Sequence, residues 1–324
     1  MKDLVQTVKG MIKKDCLGIV DSHCHLWIEE INSGYKKKYP KFIVNDLPII
    51  KKELNKLKNE EILDISEKHA AVVDCQPGGC GRNGNKLLEL SELTGVNIIS
   101  VTGFHKKEYY ISHSPIWKMS RKNAAIFFKN EVRNSLMETS GINYKNSKIR
   151  AGAIKIAFTG VLEGQYRILT EAAVDASLLT GAPLIVHTDR GLEVEKLVSF
   201  FEKKEVPLSR VMLCHMDKRA DIKLHKYLAD KSIYLEYDTF NRIKNNPEKN
   251  VWPLLVEMIK DGYSSSIMIG SDLADNSSWE SISKKRGLAG FFKNITEKLS
   301  GSGIETADIE NIIKKNAQNF LCFN

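Results

Sequence analysis

Short apolar runs recur eight times along this chain, and each is followed by a longer stretch of helical period. The runs are Gly18–Asp21, Ala70–Asp74, Asn97–Thr102, Ala153–Ala157, Pro183–His187, Arg210–His215, Tyr234–Tyr237 and Ser266–Ser271. They have the length of strands. The segments between them (Asp46–Lys68, Asn85–Thr94, Lys122–Glu138, Gly164–Thr180, Gly191–Lys203, Asp221–Asp230 and Pro247–Asp261) and a polar-apolar tail, Ser300–Phe320, read as helices. Strands that alternate with helices build parallel sheets, and eight βα units close into a barrel. The expected fold is therefore α/β, a (β/α)8 TIM barrel, with residues 1–324 as a single domain. An open doubly wound sheet is the rival arrangement, and it leaves the distribution of the histidines unexplained.

Three irregular stretches, Leu26–Asp46, Gly103–Arg121 and Leu273–Lys293, follow the C-terminal ends of the first, third and eighth strands. Barrel enzymes build their pockets at that end. Four of the eight histidines lie there too: His23 and His25 in GIVDSHCHLW, His187 in PLIVHTD and His215 in VMLCHMD. Residues two apart on an extended segment face the same side, so His23 and His25 can chelate one ion. One such histidine is ordinarily a hydrogen-bonded core residue. Four at matching positions on three strands favour a metal site, because neutral imidazole is a preferred ligand of zinc and similar ions. His69 and His225 are assigned no role, and His105 and His113 lie away from these positions.

Asp272 ends the eighth strand in SIMIGSD, where a carboxylate can bind metal and accept a proton from a bound water. Lys155 sits inside the fourth strand, in AGAIKIAF. A buried ammonium needs a counter-ion or must lose its charge. Carboxylation by carbon dioxide would make it an anionic bridge between two cations; snorkelling to the barrel mouth or pairing with Asp272 would serve equally at this point.

The net charge of +8 comes from lysines scattered along the chain, without the interleaved aromatics of a strand-binding platform. The expectation is a solvated basic surface with a lean towards a small anionic substrate, and no nucleic-acid or membrane partner. The opening residues are broken by Lys and Asp before any apolar core forms, and no run approaches the roughly 20 apolar residues of a membrane span. Cytoplasmic residence is expected. Six cysteines without a CxxC pair read as reduced thiols, with Cys24 and Cys214 as small buried residues rather than ligands.

An HxH on the first strand, Lys on the fourth, His on the fifth and sixth and Asp on the eighth resemble the amidohydrolase superfamily, and within it the phosphotriesterase-like family. The likeness extends to VVDCQPGGCGRNGNKLLELSELTGVNIISVTGFH, LLTGAPLIVHT and NAQNFL, from about Gly18 to Phe320. HCH stands where the family commonly has HEH. The resemblance implies two divalent metal ions, zinc by preference, with His23, His25 and Asp272 on the more buried ion and His187 and His215 on the more exposed one. It implies N6-carboxylated Lys155 and a hydroxide as bridges, Asp272 as proton acceptor, and lactones as favoured substrates, with phosphotriesters, other esters and amides as alternatives. Lys218, Arg219, Arg242, Lys244 and Arg286 are candidates to bind a substrate phosphate or carboxylate, and Tyr109 or Tyr110 to line the pocket, as comparable loops in the family carry a substrate-facing tyrosine. Family members often pair as homodimers. Two rival readings are a TatD-type nuclease, which usually has Glu in place of Lys155, and a barrel that has lost its chemistry and only binds.

Overall fold

The computed structural model describes residues 3–31, 33–38, 40–59, 62, 69–139, 149–283 and 287–323. An antiparallel hairpin, β1 (Leu4–Thr7) and β2 (Gly10–Lys13), precedes the barrel. Eight strands follow: β3 (Ile19–Cys24), β4 (Ala70–Asp74), β5 (Asn97–Gly103), β6 (Ala153–Phe158), β7 (Leu184–Thr188), β8 (Val211–Cys214), β9 (Tyr234–Tyr237) and β10 (Ile267–Ile269). Neighbours in sequence pair in parallel from β3 to β10.

The ring closes at the β10/β3 seam through other contacts. Ser22 Oγ donates to the Ile269 carbonyl (2.7 Å), Asp272 N donates to the His23 carbonyl (2.7 Å), and Ser271 donates from N (3.0 Å) and Oγ (2.5 Å) to the Asp21 carboxylate. The result is the expected TIM barrel rather than an open sheet.

The period of two along each strand separates two cores. Val20, Ala71, Val73, Ile99, Val101, Ala153, Ile185, Met212 and Met268 fill the barrel interior. Val72, Ile98, Ile154, Ile156, Leu184, Val186, Leu213 and Ile269 face the surrounding helices. Lys155 follows Ala153 by two residues and so projects inwards from β6.

The turn after β4 reads Gly79-Cys80-Gly81-Arg82-Asn83-Gly84, the spacing of a dinucleotide-binding turn. In this closed barrel it does different work. Gly81 takes a φ of 103°, and a Cβ there would lie 2.9 Å from Ile28. Asn83 accepts from Lys86 N (3.1 Å) to cap the helix Gly84–Thr94, which ends at left-handed Gly95. Arg82 turns into the protein, its fork meeting Glu131 at 2.6 and 3.0 Å and Glu138 at 2.6 and 2.7 Å, while Nη1 also donates to the Val101 carbonyl (2.7 Å).

Several boundaries differ from expectation. The helix expected over Asp46–Lys68 is described over Leu47–Asn59; residues 60–61 and 63–68 lie outside the described set. The stretch after β10 is only partly irregular, because the helix Gly287–Gly301 begins within it. The C-terminal tail is a helix Thr306–Glu310, a π-helical turn Asn311–Lys315 and a helix Asn316–Leu321. There Asn316 Nδ2 donates to the carbonyls of Ser264 and Ile267, both at 2.7 Å, a tertiary demand that helical periodicity does not reveal. No helix among the described residues is long and apolar enough to cross a membrane.

Candidate metal centre

The C-terminal ends of the strands gather the histidines as the sequence spacing requires. His23 lies on β3, His25 just beyond it and His187 on β7. His215 and Asp272, past β8 and β10, take positive φ values of 64° and 44°. Neither is glycine, so the backbone is held in a costly conformation that aims these two side chains. Glycines admit the close approach around them. A Cβ on Gly103 would fall 2.0 Å from the Lys155 carbonyl oxygen, and one on Gly270 would fall 2.3 Å from Glu236 Oε1 and 2.6 Å from His23 Cβ.

Each histidine has one ring nitrogen engaged by an oxygen. His25 Nδ1 meets Gln76 Oε1 (2.7 Å), His23 Nδ1 meets Glu236 Oε2 (3.3 Å), His215 Nδ1 meets the Asp238 carboxylate, and His187 Nε2 meets Asp189 Oδ1 (3.2 Å). Gln76 donates its Nε2 to the Cys80 carbonyl, which leaves its own oxygen for His25. Nitrogens that donate to these acceptors leave lone pairs on Nε2 of His23, His25 and His215 and on Nδ1 of His187.

Those nitrogens converge. His187 Nδ1 and His215 Nε2 are 2.8 Å apart, and His23 Nε2 and His25 Nε2 lie 3.9 and 3.8 Å from Asp272 Oδ1. The donor atoms of His23, His25 and Asp272 all fall within 4.8 Å of one another. Mixed nitrogen and carboxylate donors, each imidazole oriented by an acceptor behind it, fit a divalent cation. His23, His215, Glu236 and Asp238 form a second compact set. It uses the opposite nitrogens of His23 and His215, so here it acts as the anchor behind the ligands.

Charge supports the same assignment. Burial first, then the Lys155 ammonium, depresses His23, and burial brings His25 to about 4. Burial likewise lowers His187 and His215. Neutral imidazole is the ligand form. Burial pulls Asp272 upwards, but the Arg242 guanidinium together with His215 and His25 outweighs it and holds the carboxyl below its ordinary value. Glu236 is pushed well above the carboxylate range by burial and then by Asp238.

A cavity of about 290 Å³ opens over this floor. His23, His25, His187, His215 and Asp272 all line it, and Lys155 lies beneath, fully buried, with Nζ 3.3 Å from His23 Nε2 and 4.0 Å from Cys214 Sγ. Lys155 does not snorkel to the mouth, and among the described residues no carboxylate approaches it within 4.0 Å.

Of the residues expected to meet substrate, Tyr109, Lys218, Arg242 and Lys244 line the cavity. Arg219 does not: it pairs with Glu195 at 2.9 and 3.2 Å and donates to the Gly191 carbonyl at 3.0 Å, because the loop after β8 turns it towards the neighbouring loop. Tyr110 is buried, its hydroxyl accepting from His105 N (3.0 Å). Arg286 lies outside the described residues.

Sequence reasoning missed the anchors Gln76, Asp189, Glu236 and Asp238, and the cavity-lining His105 and Lys106. A signal existed for two of them. In YLEYD, Glu236 and Asp238 are an acidic pair two apart on a strand, the same spacing that exposed His23 and His25. Replacing Asp238 with alanine is expected to weaken metal retention about 10- to 100-fold. Elemental analysis after competition with a graded chelator measures this, and wild-type retention would show that Asp238 does not orient His215.

The chain matches the model of the phosphotriesterase family over residues 3–321. It is 29% identical to a phospho-furanose lactonase of Mycoplasmopsis agalactiae, over 75% of this chain and 69% of that one. A second protein of that name, from Mycoplasmopsis synoviae, is 25% identical over 98% of this chain and 92% of its own. The crystal structure of a lactonase from Listeria monocytogenes superposes with a TM-score of 0.86 at 19% identity, covering 99% of both chains. With the fold, the oriented histidines and this match in agreement, the chain belongs to the phosphotriesterase family of hydrolases.

Proposed function

We propose that this protein hydrolyses small phosphorylated sugar lactones at a centre of two divalent metal ions, zinc by preference. His23, His25 and Asp272 would hold one ion, His187 and His215 the other, and a carboxylated Lys155 would join them. Bound there, the ions would supply Lewis acidity to activate a water and polarise the substrate carbonyl.

The residues of the chain do the rest. Asp189, Gln76, Glu236 and Asp238 fix the imidazoles, and Asp272 is the carboxylate placed to take a proton. Full burial of Lys155 with no carboxylate within 4.0 Å among the described residues supports carboxylation, which replaces a buried cation by an anion among cations.

The observation that carries the substrate class is that Lys218 and Lys244, from the loops after β8 and β9, line the same cavity as the four histidines. Two cations over a hydrolytic floor suit a substrate with a phosphate at one end and an electrophilic carbonyl at the other. The names of the two mycoplasmal relatives point the same way.

Metal-loaded protein should therefore be assayed on five-membered sugar lactones with and without a phosphate. The phosphorylated compounds are expected to show at least about a hundredfold higher kcat/KM, since each hydrogen bond to a charged group contributes roughly 1.5–3 kcal/mol. Lys218→Ala and Lys244→Ala should each raise KM about tenfold with kcat largely kept. Equal turnover with and without phosphate, or turnover of phosphotriesters alone, would overturn this reading.

A further inference from the structure

Arg242 lines the cavity mouth, yet its guanidinium is already committed. Nη2 donates to the backbone carbonyl of Asp272 at 2.8 Å and also to Oδ2 of its carboxylate. The other oxygen, Oδ1, is the one that faces the Nε2 atoms of His23 and His25, at 3.9 and 3.8 Å. Asp272 lies three residues past the end of β10, in a left-handed conformation held by its own N–H to the His23 carbonyl (2.7 Å) and by Ala274 N donating to its carbonyl (2.9 Å).

Those backbone bonds place the Cα but do not choose between the two carboxylate oxygens. The terminal torsion of Asp is broad and nearly two-fold, so either oxygen, or both, could turn towards the histidines. A single guanidinium nitrogen that bonds both one carboxylate oxygen and the carbonyl of the same residue removes that freedom.

We infer that Arg242 is a positioning residue, which holds Asp272 with a single oxygen presented to the metal pocket, and is not a contact for the substrate anion. This rests on the reading of the site as a metal-dependent hydrolase, but not on the lactone. Lys218, 4.0 Å from the Asp238 carboxylate, and Lys244 line the same cavity and make no ion pair to Asp272 among the described residues, so they remain candidates for an anionic substrate.

The test compares wild type, Arg242→Met and Arg242→Lys. Zinc per chain is measured after a graded chelator challenge, and kcat and KM are measured on one lactone with and without phosphate. Arg242→Met is expected to weaken zinc retention about 10- to 100-fold and to lower kcat on both substrates, with KM changed less than about threefold. Arg242→Lys, which keeps the charge and a donor but on a shorter, differently shaped head group, should recover part of both, and it carries the comparison if the methionine variant does not fold.

Zinc retention and kcat at the wild-type level, with KM raised about tenfold or more for the phosphorylated substrate alone, would make Arg242 a substrate contact and overturn the inference. Wild-type values throughout would overturn it as well. If the wild-type enzyme turns over neither lactone, the substrate reading fails while zinc retention still decides the role of Arg242.

Discussion

Replacing Lys155 with alanine is expected to lower bound metal from about two ions per chain to less than one, and to reduce kcat/KM on the order of a thousandfold or more. The side chain is fully buried at the barrel centre, with His23 Nε2 3.3 Å away and no carboxylate within ion-pair reach among the described residues. An ammonium at that point repels a cation, whereas a carbamate attracts two. Metal-ion catalysis is worth several kcal/mol of charge stabilisation, and each 1.36 kcal/mol is a factor of ten.

The variant also separates the two chemical forms of Lys155. Alanine leaves room beneath the histidines, and a small carboxylate such as acetate entering that space should restore part of the metal and part of the rate. Restoration supports an anionic bridge. Full metal occupancy in Lys155→Ala without acetate would remove the bridge from the mechanism, and the binuclear reading with it.

The largest effect on stability should come from Arg82→Met. In the wild type Arg82 satisfies Glu131 and Glu138, and Thr102 Oγ donates to Glu131 at 2.6 Å. Without the guanidinium, Glu131 remains buried and loses its counter-charge. Removing one partner of a buried pair costs about 3–5 kcal/mol, which in a chain of this length corresponds to a melting temperature lower by roughly 4–7 °C.

The pH dependence has a defined sign. Burial would raise Glu138, but Arg82 outweighs it and holds the carboxyl below its ordinary value of 4.5. Its contribution is therefore complete above that ordinary value and is lost as pH falls through the folded one. In thermal melts of both proteins from pH 7 down to pH 3 the gap between them should narrow as pH falls below that ordinary value. A constant gap over that range would show that the deficit comes from lost packing rather than lost charge.

The parts of the protein that obey a period were legible in its sequence. Strand positions followed from apolar runs, and the five ligand candidates on the cavity floor followed from chemistry placed at strand ends. The hairpin Leu4–Gly10–Lys13 was missed because Lys9, Lys13 and Lys14 interrupt its apolar pattern. Arg219 and Arg242 lie on loops, where spacing says nothing about direction. One faces Glu195 and the other Asp272, and only packing between neighbouring loops decides this. The acceptors behind the histidines come from other strands and loops in most cases, as with Gln76 for His25, so no local pattern ties the pairs together.

The seam between β10 and β3 has a consequence for how the molecule comes into being. His23 and His25 are made well before Asp272, and the bonds from Ser22 to Ile269 and from Asp272 to His23 join the two ends of the ring. A nascent chain can form adjacent βα units as they emerge, but it cannot complete this ligand set until the eighth barrel strand has left the ribosome. Closing the ring between β3 and β10 spans the longest sequence separation in the barrel and is the closure with the highest entropic cost. A metal held by His23, His25 and Asp272 would thus be captured only after β10 is made, and a chain cut short before Ile267 would lack one of those three residues and carry an open barrel edge that quality-control proteases can recognise.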